Sequence, residues 1–94
     1  LQMDLASHEV RREDERIKLS AKEFAILEYM LRNQGQVLAR EQIEQQAWSY
    51  DFEGGSNVVD VYIRYLRKKI DSNYEPKLIH TVRGVGYILK IEEE

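Results

Sequence analysis

Apolar residues follow two different rhythms along this chain of 94 residues, and recognisable punctuation marks where each begins and ends. Residues 1–19 alternate in short, broken runs. Residues 1–5, 9–13 and 15–19 have strand character, with a tight turn expected at the Asp14-Glu15 step because Asp bonds its own backbone in turns. The intervening RREDER is polar throughout, so the pattern predicts an edge hairpin facing solvent and no more. At Ser20-Ala21-Lys22-Glu23 the rhythm changes. A Ser followed three positions later by Glu is a capping box, and Phe24, Ile26, Leu27, Met30 and Leu31 then recur at near-helical spacing until Gly35. The first helix is expected over about residues 21–33. A second, over about 40–48, places Ile43, Ala47 and Trp48 on one side, although Ala39 stands where a polar cap would be expected. After the loop SYDFEGG, Ser56 can cap a third helix running to about Asp71, with Asn73 and Pro76 preventing it from going far. Two strand-like runs close the chain, 78–82 and 87–90. They are joined by Arg83-Gly84-Val85-Gly86, a hairpin with glycines where positive φ is needed.

The third helix, NVVDVYIRYLRKKI, divides sharply when residues are placed about 100° apart. Val59, Ile63, Leu66 and Ile70 fall in a narrow arc suited to a core. Asn57, Val61, Arg64 and Lys68 fall opposite, flanked by Asp60 and Tyr65, with Arg67 and Lys69 on the shoulders. The DNA major groove admits an α-helix. It is read by Arg or Lys at guanine, Asn at adenine and a small apolar group at the thymine methyl. Shoulder cations are placed to meet phosphates. A solvated amphipathic helix has the same pattern, so the helix alone leaves both readings open.

Charge sharpens the picture. The net charge is −3, but residues 56–90 hold seven Lys/Arg against three acids, and the rest hold seven against fourteen. A local +4 beside a local −7 suggests a surface built on one side for an anionic partner. There is no cysteine, which excludes disulfides and thiolate metal sites and fits a reducing cytosol. No apolar run approaches the roughly 20 residues that span a bilayer, so no membrane partner is expected. LQMDLASHEV has no signal-peptide pattern, and a first residue other than Met suggests a fragment of something longer. The length fits one domain, 1–94.

Four motifs, LSAKEFAILEYML, REQIEQQAW, NVVDVYIRYLRKKI and HTVRGVGYIL, together resemble the C-terminal effector domain of the OmpR/PhoB family of two-component response regulators, over about residues 19–89. The resemblance implies an α+β winged helix-turn-helix: a small N-terminal antiparallel sheet, three helices and a C-terminal β-hairpin wing. It implies sequence-specific binding of double-stranded DNA, on direct repeats, by a bacterial cytoplasmic transcription regulator. Base contacts would map to Asn57, Val58, Val61, Arg64 and Tyr65, and Arg64, Arg67 and Lys68 would include phosphate ligands. In the wing, Arg83 would reach the minor groove while Thr81 and Tyr87 bond the DNA backbone. Ser49, Tyr50, Asp51, Phe52 and Glu53 would lie in a loop that touches RNA polymerase, and Trp48 would pack at its start near a phosphate. The chain departs from the family pattern at Tyr65, where a second Arg is common, at Ala39, and in fitting three opening strands where four are usual. No receiver domain is present, so a sensor histidine kinase would be a partner only through that missing part.

Other chemistry finds little support. Gly84-Val85-Gly86 leads into a strand and not a helix, so it is no nucleotide-binding fingerprint. His8 and His80 are isolated, and His80 sits in a strand pattern that favours a hydrogen-bonded structural role over metal ligation. No nucleophile–base–orienter set is present, so neither catalysis nor a cofactor is expected. The alternative of a different class is a winged-helix protein–protein interaction module. Cations at both the third helix and the hairpin tip distinguish the DNA reading from it.

Overall fold

The computed structural model describes residues 1–48 and 57–91. Their elements run β1 (Gln2–Asp4), β2 (Glu9–Arg12), β3 (Glu15–Ile17), α1 (Ala21–Arg32), β4 (Leu38–Ala39), α2 (Arg40–Ala47), α3 (Val58–Ile70), β5 (Ile79–Val82) and β6 (Gly86–Leu89). This is an α+β winged helix-turn-helix with two three-stranded antiparallel sheets, ordered β1-β2-β3 and β4-β6-β5.

The first sheet is less exposed than its polar sequence implies. Met3, Val10 and Ile17 stand in register across it, with Val10 fully buried and the other two packed on the core. The opposite face, Gln2, Arg11 and Arg16, is solvent-facing, and of the inner face only the end residue Glu15 is exposed. The tight turn falls on Glu13 and Asp14, both at positive φ, one residue earlier than expected. Two left-handed residues between paired strands make the turn whose twist matches a hairpin.

Arg12 is the larger correction to the solvent-facing hairpin, being only 4% exposed. Its guanidinium donates to Asp71 Oδ1 at 2.9 Å and to the carbonyls of Ile70 and Pro76, and it lies 5.2 Å from the Tyr74 ring centroid. Asp71 also accepts from the amides of Leu78 (3.1 Å) and Ile79 (3.0 Å). Buried charges persist only when paired and hydrogen-bonded, and here both are. Lys77 Nζ completes this corner by donating to the Asp71 and Tyr74 carbonyls just beyond the end of α3.

The capping box of α1 is complete: Glu23 N donates to Ser20 Oγ and Ser20 N donates to Glu23 Oε1. Phe24, Ile26, Leu27 and Met30 are buried. At the start of α2, Ala39 has no acceptor side chain, so only the reciprocal half survives, Ala39 N to Gln42 Oε1 at 2.8 Å. Helix α2 ends at Ala47, with Trp48 as its C-cap. Asn57 precedes α3 without a side-chain capping bond, and Ser56, the expected cap, lies outside the described residues.

The two-residue strand β4 is too short to show alternation, and it pairs Leu38 with Tyr87 and Ala39 with Gly86. It also changes the reading of the hairpin glycines. Gly84 takes φ +75°, but Gly86 does not take positive φ. A Cβ at Gly86 would lie 2.0 Å from the Leu38 carbonyl oxygen, so that glycine admits β4.

Candidate nucleic-acid interface

Helix α3 positions the candidate site by burying its other side. Val59, Ile63, Leu66 and Ile70 have no exposed surface, and burying an aliphatic side chain stabilises by roughly 1.5–3 kcal/mol, so the rotation of the helix is fixed. That rotation turns Asn57, Arg64, Tyr65 and Lys68 outward, with Tyr65 48% exposed. Arg64 and Lys68 make no ion pair or side-chain hydrogen bond among the described residues. Val61 is half-buried rather than bare, and Val58 is half-buried against the core.

The shoulders behave differently from one another. Lys69 pairs with Glu23 at 2.6 Å, so the cation expected to meet phosphate is directed to the cap of α1. Arg67 leans the other way. Its Nη2 donates to Thr81 Oγ1 at 2.5 Å and its guanidinium lies 5.4 Å from the Tyr87 ring centroid, tying α3 to the hairpin. Beyond it, Arg83 and Val85 are exposed at the tip, where Val85 N donates to the Val82 carbonyl across a turn with Gly84 third, the position at which type II turns need positive φ.

Tyr87 is placed otherwise than expected. It is only 5% exposed, and its hydroxyl donates to Asp60 Oδ1. The same oxygen accepts from Arg40 Nε at 2.8 Å, and the Arg40 guanidinium stands 5.4 Å from the Tyr87 ring centroid. Burial pushes the Asp60 carboxyl up. The bonds from Tyr87 and Arg40 and the charges of Arg40 and Arg64 outweigh it and hold the carboxyl below its ordinary value. Burial, and then the bond to Asp60, push the Tyr87 phenol up. Arg40 was missed in the sequence, where it reads as the start of a helix. Opposite charges 20 positions apart become partners only through the fold.

At the other end of the site, Trp48 meets Tyr62 edge-on at 5.3 Å, Tyr62 meets Tyr65 at 5.7 Å, and Lys22 Nζ lies 5.2 Å from the Trp48 ring. The loop residues Ser49, Tyr50, Asp51, Phe52 and Glu53 lie outside the described residues. Among the described residues no cluster of His, Cys, Asp or Glu could hold a metal, and no helix is long and apolar enough to cross a membrane. His80 does not show the expected hydrogen-bonded role at Nε2, which is buried without a partner among the described residues.

The family described as Transcriptional regulatory protein, C terminal, matches residues 14–89. The chain is 53% identical over 90 residues to the uncharacterized transcriptional regulatory protein YkoG of Bacillus subtilis (strain 168), covering 96% of this chain and 40% of that protein. It is 50% identical over 93 residues to the transcriptional regulatory protein CusR of Escherichia coli (strain K12), covering 99% and 41% respectively. The chain thus spans about two fifths of the length of the curated relatives it matches. Among solved structures, the Klebsiella pneumoniae RstA DNA-binding domain in complex with the RstA box is similar with a TM-score of 0.81 at 31% identity, over 94% of this chain and 88% of that one.

Proposed function

The chain belongs to the transcriptional regulatory protein C-terminal family, and from that premise we propose that it is the DNA-binding output domain of an OmpR/PhoB-type response regulator. Residues 1–94 act as one unit that reads double-stranded DNA with α3 in the major groove and the β5–β6 hairpin in the minor groove. One observation carries this reading: α3 is locked by a fully buried seam while Asn57, Arg64, Tyr65 and Lys68 project from its other side. Arg64 is the central base-reading group, because guanidinium bonds guanine in a fork. Asn57, Val61 and Tyr65 contribute base contacts beside it, with Val58 at the packed edge of the helix. Lys68, Arg67 and Thr81 meet phosphates, and Arg83 enters the minor groove. Tyr87 supports this set from below, since its burial favours propping Arg40 and Arg67 over touching DNA itself.

Selection from a random duplex pool, followed by titration at several salt concentrations, tests the reading. A preferred sequence should emerge, and affinity should fall linearly on logarithmic axes as counterions are released. Equal affinity for selected and random duplexes would remove the proposal.

The acids Asp51 and Glu53 would be repelled by phosphate, which suits the 49–55 loop to RNA polymerase rather than to DNA. Reversing both charges should leave duplex affinity intact or slightly tighter while lowering transcription in vitro. Unchanged transcription would make the loop a connector. A sensor kinase would reach this unit only through a receiver domain outside these residues.

A further inference from the structure

We propose that Asp60 is an internal competitor for DNA phosphate: it holds Arg40 in a neutral pair that a matched duplex exchanges for a phosphate–Arg40 contact. The inference rests on the DNA-binding reading above. Three elements meet at this pair, because Asp60 belongs to α3, Arg40 opens α2 and Tyr87 lies in β6, where Arg67 and Thr81 join α3 to the hairpin. A helix in the major groove and a hairpin in the neighbouring minor groove straddle one phosphate strand, so their junction faces that strand.

Among the described residues the junction holds the cations Arg40 and Arg67 and a single acid, Asp60, which sits one helical turn before Arg64. An acid on a phosphate-facing surface repels the duplex unless it is occupied. Asp60 is doubly occupied, and the two partners differ. The Tyr87 hydroxyl is buried and stays, whereas Arg40 and Asp60 have side chains 35% and 34% exposed. A pair this open to water contributes little net stability, so replacing carboxylate by phosphate is nearly balanced. Contacts made elsewhere by a fitting sequence can tip the exchange against the repulsion of the uncovered Asp60 carboxylate, which keeps its hydrogen bond from Tyr87 after Arg40 leaves. On a random duplex α3 does not seat as deeply, and the pair stays closed. Asp60 thereby lowers non-specific affinity more than specific affinity, which makes it a specificity-determining residue.

The test compares the wild-type chain, Asp60→Asn and the neutral double variant Arg40→Gln/Asp60→Asn on two probes, a selected duplex and a scrambled duplex of the same length and composition. Asn at position 60 still accepts from Tyr87. Asp60→Asn should bind the scrambled duplex about three- to tenfold more tightly, with a salt slope steeper by about one as Arg40 becomes a free phosphate ligand. The double variant should bind the scrambled duplex as the wild type does and the selected duplex several-fold more weakly. Two results overturn the proposal: no tightening in Asp60→Asn, or undiminished tightening in the double variant, which would reveal simple removal of a negative charge. If Asp60→Asn does not fold, the double variant still decides, because equal effects on the two duplexes also overturn it. A wild-type chain that does not prefer its selected duplex would count against the DNA-binding reading itself, a separate outcome.

Discussion

Arg64 and Lys68 stand one turn apart on the same outward face, yet their chemistry separates them. The planar fork of Arg matches two acceptors on guanine, while the Lys ammonium is a compact charge suited to a phosphate. Arg64→Ala should therefore weaken the selected duplex by roughly 1–3 kcal/mol and relax preference at the base it contacts. Lys68→Ala should weaken all duplexes by about the same factor and flatten the salt slope. Binding isotherms on matched and singly mismatched sites check both, and a uniform loss for Arg64→Ala would reassign it to the backbone. At this scale the sequence was informative where one helix settled the matter. The outward direction of Arg64 and Lys68 follows from the spacing of Val59, Ile63, Leu66 and Ile70 alone. The direction of Lys69 does not, since only packing of α1 against α3 brings Glu23 within 2.6 Å.

The same Glu23 links α1 to α3. Burial pushes its carboxyl up, but the bond from Lys69, those from the Ser20 amide and hydroxyl, and the Lys69 charge outweigh this and hold it below the ordinary carboxylate value. A lowered folded-state value means stability that is fully present above the ordinary value and is lost as pH falls through the folded one. Thermal midpoints should thus decline on acidification below the ordinary carboxylate range, and Glu23→Gln should shrink that decline. Asp60, also lowered, contributes in the same window and leaves a residual slope. A Glu23→Gln profile parallel to the wild type would show that Lys69 adds nothing there. Elements were legible to the extent that they were long. Helix α1 announced itself through period and cap and α3 through period, whereas β4 has two residues and no rhythm to read. Its trace in the sequence is Gly86, whose missing side chain reports a close backbone neighbour as readily as a positive φ.

For the molecule as a whole, we expect direct repeats to recruit two copies head to tail, since half-sites one helical turn apart lie on one face of the duplex. Such contacts join two different patches, so they need not form in free solution. Sedimentation should give a monomer without DNA and two copies per direct-repeat duplex. A symmetric dimer in solution, or a preference for inverted repeats, would contradict this. The winged fold was legible because several motifs agreed, but the ties between its parts were not. The Arg12–Asp71 pair joins positions 59 apart, and RREDER gives no sign that one of its arginines is buried. That tie has a consequence during synthesis. Within these residues the β1–β3 sheet is translated before the rest, yet the acid that neutralises Arg12 and the carbonyls it binds follow some sixty codons later. Until then Arg12 keeps its hydration shell, and the sheet lacks the counter-ion that closes this corner. The first part of this winged unit to be made is therefore among the last to become native.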